Sequence, residues 1–211
     1  QTSVQSADVS FSVGAATNQG GYHARGTETI AQYSDVSKAE VTSEAGVFED
    51  THQSLFAEVN IGENMTVGYE FAISDISTPT NTNAKVDKTG TSAAALRTNT
   101  AKATFSDKTT LYIQARMLGG LYTKIMYHNV NVVSKESLAT GGAYGDATVE
   151  GLGLGMGYQY DMEDVGIFIR AELTASGYED VKAINTNDPD KTIVIDSMYG
   201  AEGSIRVGKT F

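Results

Sequence analysis

The stretch from Met198 to Phe211, M-Y-G-A-E-G-S-I-R-V-G-K-T-F, constrains this chain more than any other. At period two, one face carries Tyr199, Ala201, Gly203, Ile205, Val207, Lys209 and Phe211. The other carries Met198, Gly200, Glu202, Ser204, Arg206, Gly208 and Thr210. Successive side chains of a strand point to opposite faces, so this is strand alternation. The charges share their face with glycines, and aromatic residues sit at the ends of the apolar face. That pattern predicts the closing strand of a transmembrane β-barrel, apolar to lipid and polar to the lumen.

The same alternation recurs along the chain. Val9, Phe11, Val13 and Ala15 oppose Ser10, Ser12, Gly14 and Ala16. Leu55, Ala57, Val59 and Ile61 oppose Phe56, Glu58 and Asn60, and Gly62-Glu63-Asn64 turns the chain into Met65–Ile73. Leu111, Ile113, Ala115 and Met117 oppose Tyr112, Gln114 and Arg116, before a turn at Leu118-Gly119-Gly120 and a strand from Tyr122 to Val133. Leu152, Leu154, Met156, Tyr158 and Tyr160 oppose Gly151, Gly153, Gly155, Gly157 and Gln159. Asp161 to Asp164 then leads into Ile167, Ile169, Ala171 and Leu173. Polar stretches at about 27–51, 78–106, 134–145 and 181–193 read as long loops. The expectation is one all-β domain over residues 1–211, an eight-stranded antiparallel up-and-down transmembrane β-barrel. Short turns lie at one end, with both termini, and long loops at the other. Ten strands is the alternative, because Phe105-Ser106-Asp107-Lys108 can be read as a tight turn.

Composition narrows the function classes. No run approaches the length of a transmembrane helix. A net charge of −11 argues against nucleic acid, whose phosphates need clustered Lys and Arg. With Cys 0 there is no disulfide framework and no thiolate chemistry. Gln1 reads as a mature N-terminus after signal removal, or as the start of a protein that was never exported.

Alternation places Glu58, Glu70, Arg116, Lys124, Arg170, Glu172, Glu202 and Arg206 in the lumen, a set of zero net charge. An eight-stranded barrel is just wide enough for side chains to fill it, and buried charges must be paired. The set therefore predicts an ion-pair network that plugs the interior. A narrow conductance path is the functional alternative. The glycines from Gly151 to Gly157 do not fit a phosphate-binding loop; they are expected to make room for the long Arg and Glu chains opposite. Tyr69, Phe71, Tyr127, Tyr158, Tyr160, Tyr199 and Phe211 fit an aromatic girdle on the lipid face. His23, His52 and His128 are scattered without ligand spacing, so no metal, cofactor or catalytic set is expected.

Gly151-L-G-L-G-M-G-Y-Q-Y-Asp161, followed by Ile167-F-I-R-A-E-L and Gly177-Tyr178-Glu179-Asp180, resembles the penultimate hairpin of OmpA-like and Opa-like small outer-membrane barrels. Gly120-L-Y-T-Lys124 resembles a strand start of that family, and Ile205-R-V-G-K-T-Phe211 its terminal assembly signal. Lys209 departs from the family, which usually has an apolar or aromatic residue there. The resemblance implies a Gram-negative outer-membrane protein in contact with lipid and lipopolysaccharide. It also implies assembly by the barrel-assembly machinery through the closing strand, and a structural or adhesive role with a possible extracellular partner for the loops. A small pore and a soluble lipocalin-like ligand-binding barrel are the rival readings.

Overall fold

A computed structural model describes residues 8–30, 40–87, 95–137, 143–187 and 189–211. The strands, in chain order, are β1 (Val9–Ile30), β2 (Glu40–Ile61), β3 (Met65–Ala72), β4 (Ile76–Ser77), β5 (Asn81–Asp87), β6 (Ala95–Arg116), β7 (Leu121–Ser137), β8 (Ala147–Met162), β9 (Ile167–Tyr178), β10 (Val181–Ile184) and β11 (Lys191–Thr210). Pairing is antiparallel and follows the order β1-β2-β3-β6-β7-β8-β9-β11. β11 pairs back onto β1, which closes an eight-stranded ring. β4 and β5 continue the line of β3 along β6, and β10 continues β9 along β11. The segment around Phe105 is thus an uninterrupted part of β6, and the ten-strand alternative does not apply.

The register sets the barrel's shape. Stepping across paired residues from Val13 passes through Ala57, Tyr69, Leu111, Tyr127, Leu152, Gly177 and Tyr199, and returns to β1 at His23. The offset, 23 − 13, is a shear of 10 residues over the ring. This corresponds to a strand tilt of about 40°. Short connections at 62–64, Leu118–Gly120 and Glu163–Val165 lie at one end, where Gly62, Gly119, Gly120 and Gly166 take positive φ. The terminal strands meet at that end, with the Phe211 amide bonded to the Phe11 carbonyl at 2.8 Å.

At the other end the strands run further than alternation of apolar residues indicates. β1 and β2 stay paired from Val9 opposite Ile61 to Ile30 opposite Glu40, which carries strand through most of the expected loop at 27–51. β5 and β6 pair through most of 78–106, β7 reaches Ser137, and β10 and β11 form a hairpin within 181–193. Above the belt the outer face of these strands meets water, so the apolar half of the alternation is no longer required there. The centres of the first three expected loops lie outside the described residues.

Two bulges shift the alternation. Asp107 and Lys108 together oppose Val130, and Ser197 and Met198 together oppose Ala24; Asp107 and Ser197 each have φ 52°. The extra residue flips the faces beyond it. Phe105 and Ile195 therefore point inward, although Lys108 and Met198, an odd number of positions away, do so too. Inside the long-hairpin end the lumen becomes apolar. Val130, Val132, Val149, Val181 and Met198 cluster there, and Phe48 stacks between Tyr22 and Phe105 at ring distances of 5.1 and 6.0 Å.

Candidate functional site: the barrel lumen

The lumen is built from inward positions of all eight ring strands. At the short-turn end, Phe56 and Phe168 lie 6.2 Å apart. The Arg170 guanidinium sits 4.3 Å from the Phe168 ring and 5.9 Å from that of Phe56. Beside them, Glu58 accepts two bonds from Arg170, one of 2.9 Å from Nη2, and a third of 2.6 Å from the Tyr112 hydroxyl. Glu172 accepts from Lys124 Nζ at 2.9 and 3.0 Å, from the Tyr122 hydroxyl at 2.9 Å, and pairs with Arg206 at 3.0 Å. Arg206 also bonds Glu70 at 2.8 Å, and Glu70 accepts from Ser54, which accepts in turn from Asn18. Uppermost, Glu202 pairs with Lys108 and accepts from the Tyr22 hydroxyl at 3.0 Å.

Of the eight charged residues expected inside, the structure joins Glu58, Glu70, Lys124, Arg170, Glu172, Glu202 and Arg206. Arg116 is not with them. It lies at the short-turn rim, part-exposed, and pairs with Asp161 at 3.1 Å. Lys108 takes its place as the partner of Glu202, so the buried set remains four acids and four bases. The signal for Lys108 was present in the sequence: counting back by twos from Arg116 through Gln114, Tyr112 and Thr110 reaches it. The possible tight turn at Phe105-Ser106-Asp107-Lys108 concealed it. Tyr22, Tyr112 and Tyr122 were also missed as partners of the carboxylates. A tyrosine on a polar face is ambiguous until its hydroxyl has a visible acceptor.

The glycines serve a different purpose from the one expected. They face aromatic rings and small side chains, more than Arg and Glu. Gly14 is paired with Phe56, Gly68 with Tyr112, Gly157 with Tyr122, Gly208 with Phe168, Gly151 with Tyr178 and Gly200 with Tyr22. A Cβ on Gly157 would stand 2.5 Å from Tyr122 Cζ, inside the ring's contact distance. Each ring occupies the space that a Cβ on its partner glycine would need. Gly153 makes room for Ser176, Met126 and His128, and Gly155 for Thr174.

On the outside, Tyr69, Phe71, Tyr127, Tyr158, Tyr160, Tyr199 and Phe211 are all exposed among Leu, Ile, Val and Met. Tyr158, Tyr160 and Phe211 lie towards the short-turn end, joined by Phe11. Phe71, Tyr127 and Tyr199 lie towards the other end, with Tyr69 between the two groups. Lys209 sits at the short-turn rim with its Nζ 5.3 Å from the Phe211 ring centre, so its charge lies beside the interface. Beyond the belt, Arg25 forks onto Asp196 at 2.7 and 2.8 Å. This pair holds the Asp196 carboxyl below the usual aspartate range.

The lumen gaps are small. One of about 40 Å³ lies among the apolar side chains of the long-hairpin end, and one of about 10 Å³ lies beside His52, His128, Lys108 and Glu202.

Several solved structures are similar to this one. The outer membrane protein OprG from Pseudomonas aeruginosa superposes with a TM-score of 0.51 at 14% identity, over 94% of this chain and 96% of that one. The outer membrane protease OmpT from Escherichia coli gives 0.49 at 9% identity, over the whole of both chains. The attachment invasion locus protein Ail of Yersinia pestis gives 0.41 at 11% identity, over 98% of this chain and 100% of that one. No protein-family model matches the sequence, and no curated protein matches it either. The fold is that of a small outer-membrane β-barrel, with polar side chains inside and an apolar belt outside. A soluble lipocalin-like barrel needs the reverse, and that reading is set aside.

Proposed function

We propose that this chain is a structural and surface-interaction barrel of a Gram-negative outer membrane whose lumen is plugged. The observation that carries the reading is the buried, charge-balanced set Glu58, Glu70, Glu172, Glu202, Lys108, Lys124, Arg170 and Arg206, bonded across the axis. A conducting pore needs mobile water beside its charges. Here each carboxylate is bonded to a cation and to at least one hydroxyl. Moving either partner alone leaves a buried unpaired charge, at a cost of several kcal/mol. The resemblance of 120–124, 151–180 and 205–211 to OmpA-like and Opa-like barrels supports the same reading. So does the terminal Phe211, which suits recognition by the barrel-assembly machinery. The paired extensions beyond the belt give the long-hairpin end a stiff surface for lipopolysaccharide and for an extracellular partner. The chain binds no nucleic acid in this reading and carries out no reaction.

Single-channel recording of the refolded chain in planar bilayers tests the plug. The expected record is flat. Stable conductance that changes when Glu202 or Arg206 is replaced would favour the small-pore reading instead. The surface role is read separately, by comparing adhesion and detergent sensitivity of cells with and without the chain.

A further inference from the structure

The seam between β2 and the line of β3, β4 and β5 opens at the long-hairpin end. β2 and β3 are paired from Ile61 opposite Met65 to Ser54 opposite Ala72, and the Ile73 amide still reaches the Gln53 carbonyl at 2.8 Å. Continued in that register, the ladder would set Ala45 opposite Asn81. It does not continue, because β4 and β5 pair with β6 and not with β2. Pro79, which has no amide hydrogen to give, lies between β4 and β5. At the foot of the break the Asp50 carboxylate stands in for a strand, accepting from the Thr51 and Ser77 amides at 2.8 and 2.7 Å. Beyond it no bond joins β2 to β5 among the described residues. The seam between β8 and β10, by contrast, is bridged again at Tyr144 and Asn185.

The bonds below the break give the direction of the freed groups. In an antiparallel strand the N–H and C=O of one residue point to the same neighbour, and successive residues alternate. Gln53 faces β3, through its carbonyl to Ile73 and its amide to the Ser74 hydroxyl; Gly62 faces β1, through its amide to Asp8. The β1–β2 register runs without a shift from Val9 to Ile30, so the odd-numbered residues of β2 face the open seam throughout. Val41, Ser43, Ala45, Val47 and Glu49 therefore offer a row of backbone donors and acceptors with no strand beside them among the described residues. The side chains of 41–47 are exposed on both faces. An edge of this kind is a template for another strand, and the proline, lysine or bulge that would blunt it is missing from 41–49.

We propose that the open edge of β2 receives an extended, basic segment of an extracellular polypeptide as an added antiparallel strand. The inference rests on the surface-interaction reading above and names its mode. Charge selects the occupant. Glu44 and Glu49 are exposed on this edge, and Lys and Arg are absent from 40–51. A second copy laid against the same edge would bring acid towards acid, which disfavours self-pairing. A strand with Lys or Arg opposite Glu44 and Glu49, and β-branched residues opposite Val41 and Val47, satisfies the backbone and both charges. Its basic residues are five positions apart and on opposite faces, as Glu44 and Glu49 are.

The probe is the peptide K-T-V-T-V-K-V-T-V, carrying a fluorophore and titrated with the folded chain in detergent micelles. The expected result is a saturable rise in anisotropy, absent when both lysines of the probe are replaced by glutamate. Ala45→Pro separates strand addition from charge attraction. The Ala45 amide faces the seam, so proline there removes a donor from the edge and leaves the β1–β2 ladder whole. It should weaken binding of the basic probe by about tenfold or more while the barrel keeps its heat-modifiable electrophoretic mobility. N-methylation of the probe's central valine, which meets Ala45, should do the same to the parent chain. Glu44→Lys with Glu49→Lys should transfer the preference to the acidic probe. No binding to the parent, or equal binding of the basic probe to the parent and to Ala45→Pro, overturns the proposal. Self-association of the parent that Ala45→Pro abolishes would make a second copy the occupant and overturn it as well. The peptide result decides the edge, and the adhesion of cells with and without the chain decides the surface role, so either can fail alone.

Discussion

Gly157→Ala tests the lumen packing most directly. The new Cβ would stand 2.5 Å from both Cζ and the hydroxyl oxygen of Tyr122, and 2.5 Å from the carbonyl oxygen of Ala171. Ordinary carbon contacts begin near 3.5 Å, so the ring must retreat by about 1 Å. It has no room to do so: Tyr122 is 0% exposed, its hydroxyl is held by Glu172 at 2.9 Å, and Arg170 lies 5.8 Å from its centre. Overpacking of this kind costs about 1–3 kcal/mol. Losing a hydrogen bond to a charged acceptor adds about 1.5–3 kcal/mol. Replacing glycine inside a strand returns about 0.5–1 kcal/mol, so the net loss should be about 2–5 kcal/mol. The comparison variants are Gly155→Ala, where the nearest atom is Thr174 Cγ2 at 3.1 Å, and Gly177→Ala, where it is Tyr199 Cδ1 at 3.7 Å. Urea unfolding from detergent micelles, followed by tyrosine fluorescence and electrophoretic mobility, should rank them Gly157→Ala below Gly155→Ala below Gly177→Ala. The last should equal or exceed the parent. If Gly157→Ala unfolds within about 0.5 kcal/mol of Gly177→Ala, the ring-over-glycine account of the lumen is wrong.

Other expectations follow from the same geometry. Arg170→Met strands the Glu58 carboxylate in the lumen and should cost about 3–5 kcal/mol in the same assay; adding Glu58→Gln should recover much of that loss. The Arg25–Asp196 pair stands in water, and because the folded Asp196 is more acidic than an unfolded aspartate, its contribution is present above about pH 4 and is lost as pH falls through the folded value. Replacing Arg25 by Gln should move the Asp196 titration upward in an NMR pH series, and an unmoved titration would refute the pairing. Removing the Phe211 ring as Phe211→Ala should slow insertion into vesicles, read by the appearance of the fast-migrating folded form, without changing the lumen pairs. Unchanged insertion kinetics would deny the ring its interfacial role.

Alternation alone was enough to read the closed ring, the short-turn end and most of the buried charges. Lipid outside and a narrow interior impose opposite chemistry on neighbouring residues, so every residue of Leu152–Tyr160, and every residue of Ile205–Phe211 but Lys209, reports its face. Where that contrast fades, so did the reading. Residues 27–30 and 40–51 mix polar and apolar residues on both sides and read as loop, yet the hydrogen-bond ladder carries β1 and β2 through them. Only the tertiary structure could show the bulges at Asp107 and Ser197, because one extra residue leaves composition unchanged while reversing every face beyond it. That reversal brings Phe105 and Ile195 inside. The partners within the lumen are likewise a property of closure. Alternation says that Glu202 points inward, but which cation meets it depends on the shear that sets β11 against β6 across the axis. In this barrel that cation is Lys108 and not Arg116, which the same shear leaves at the rim beside Asp161.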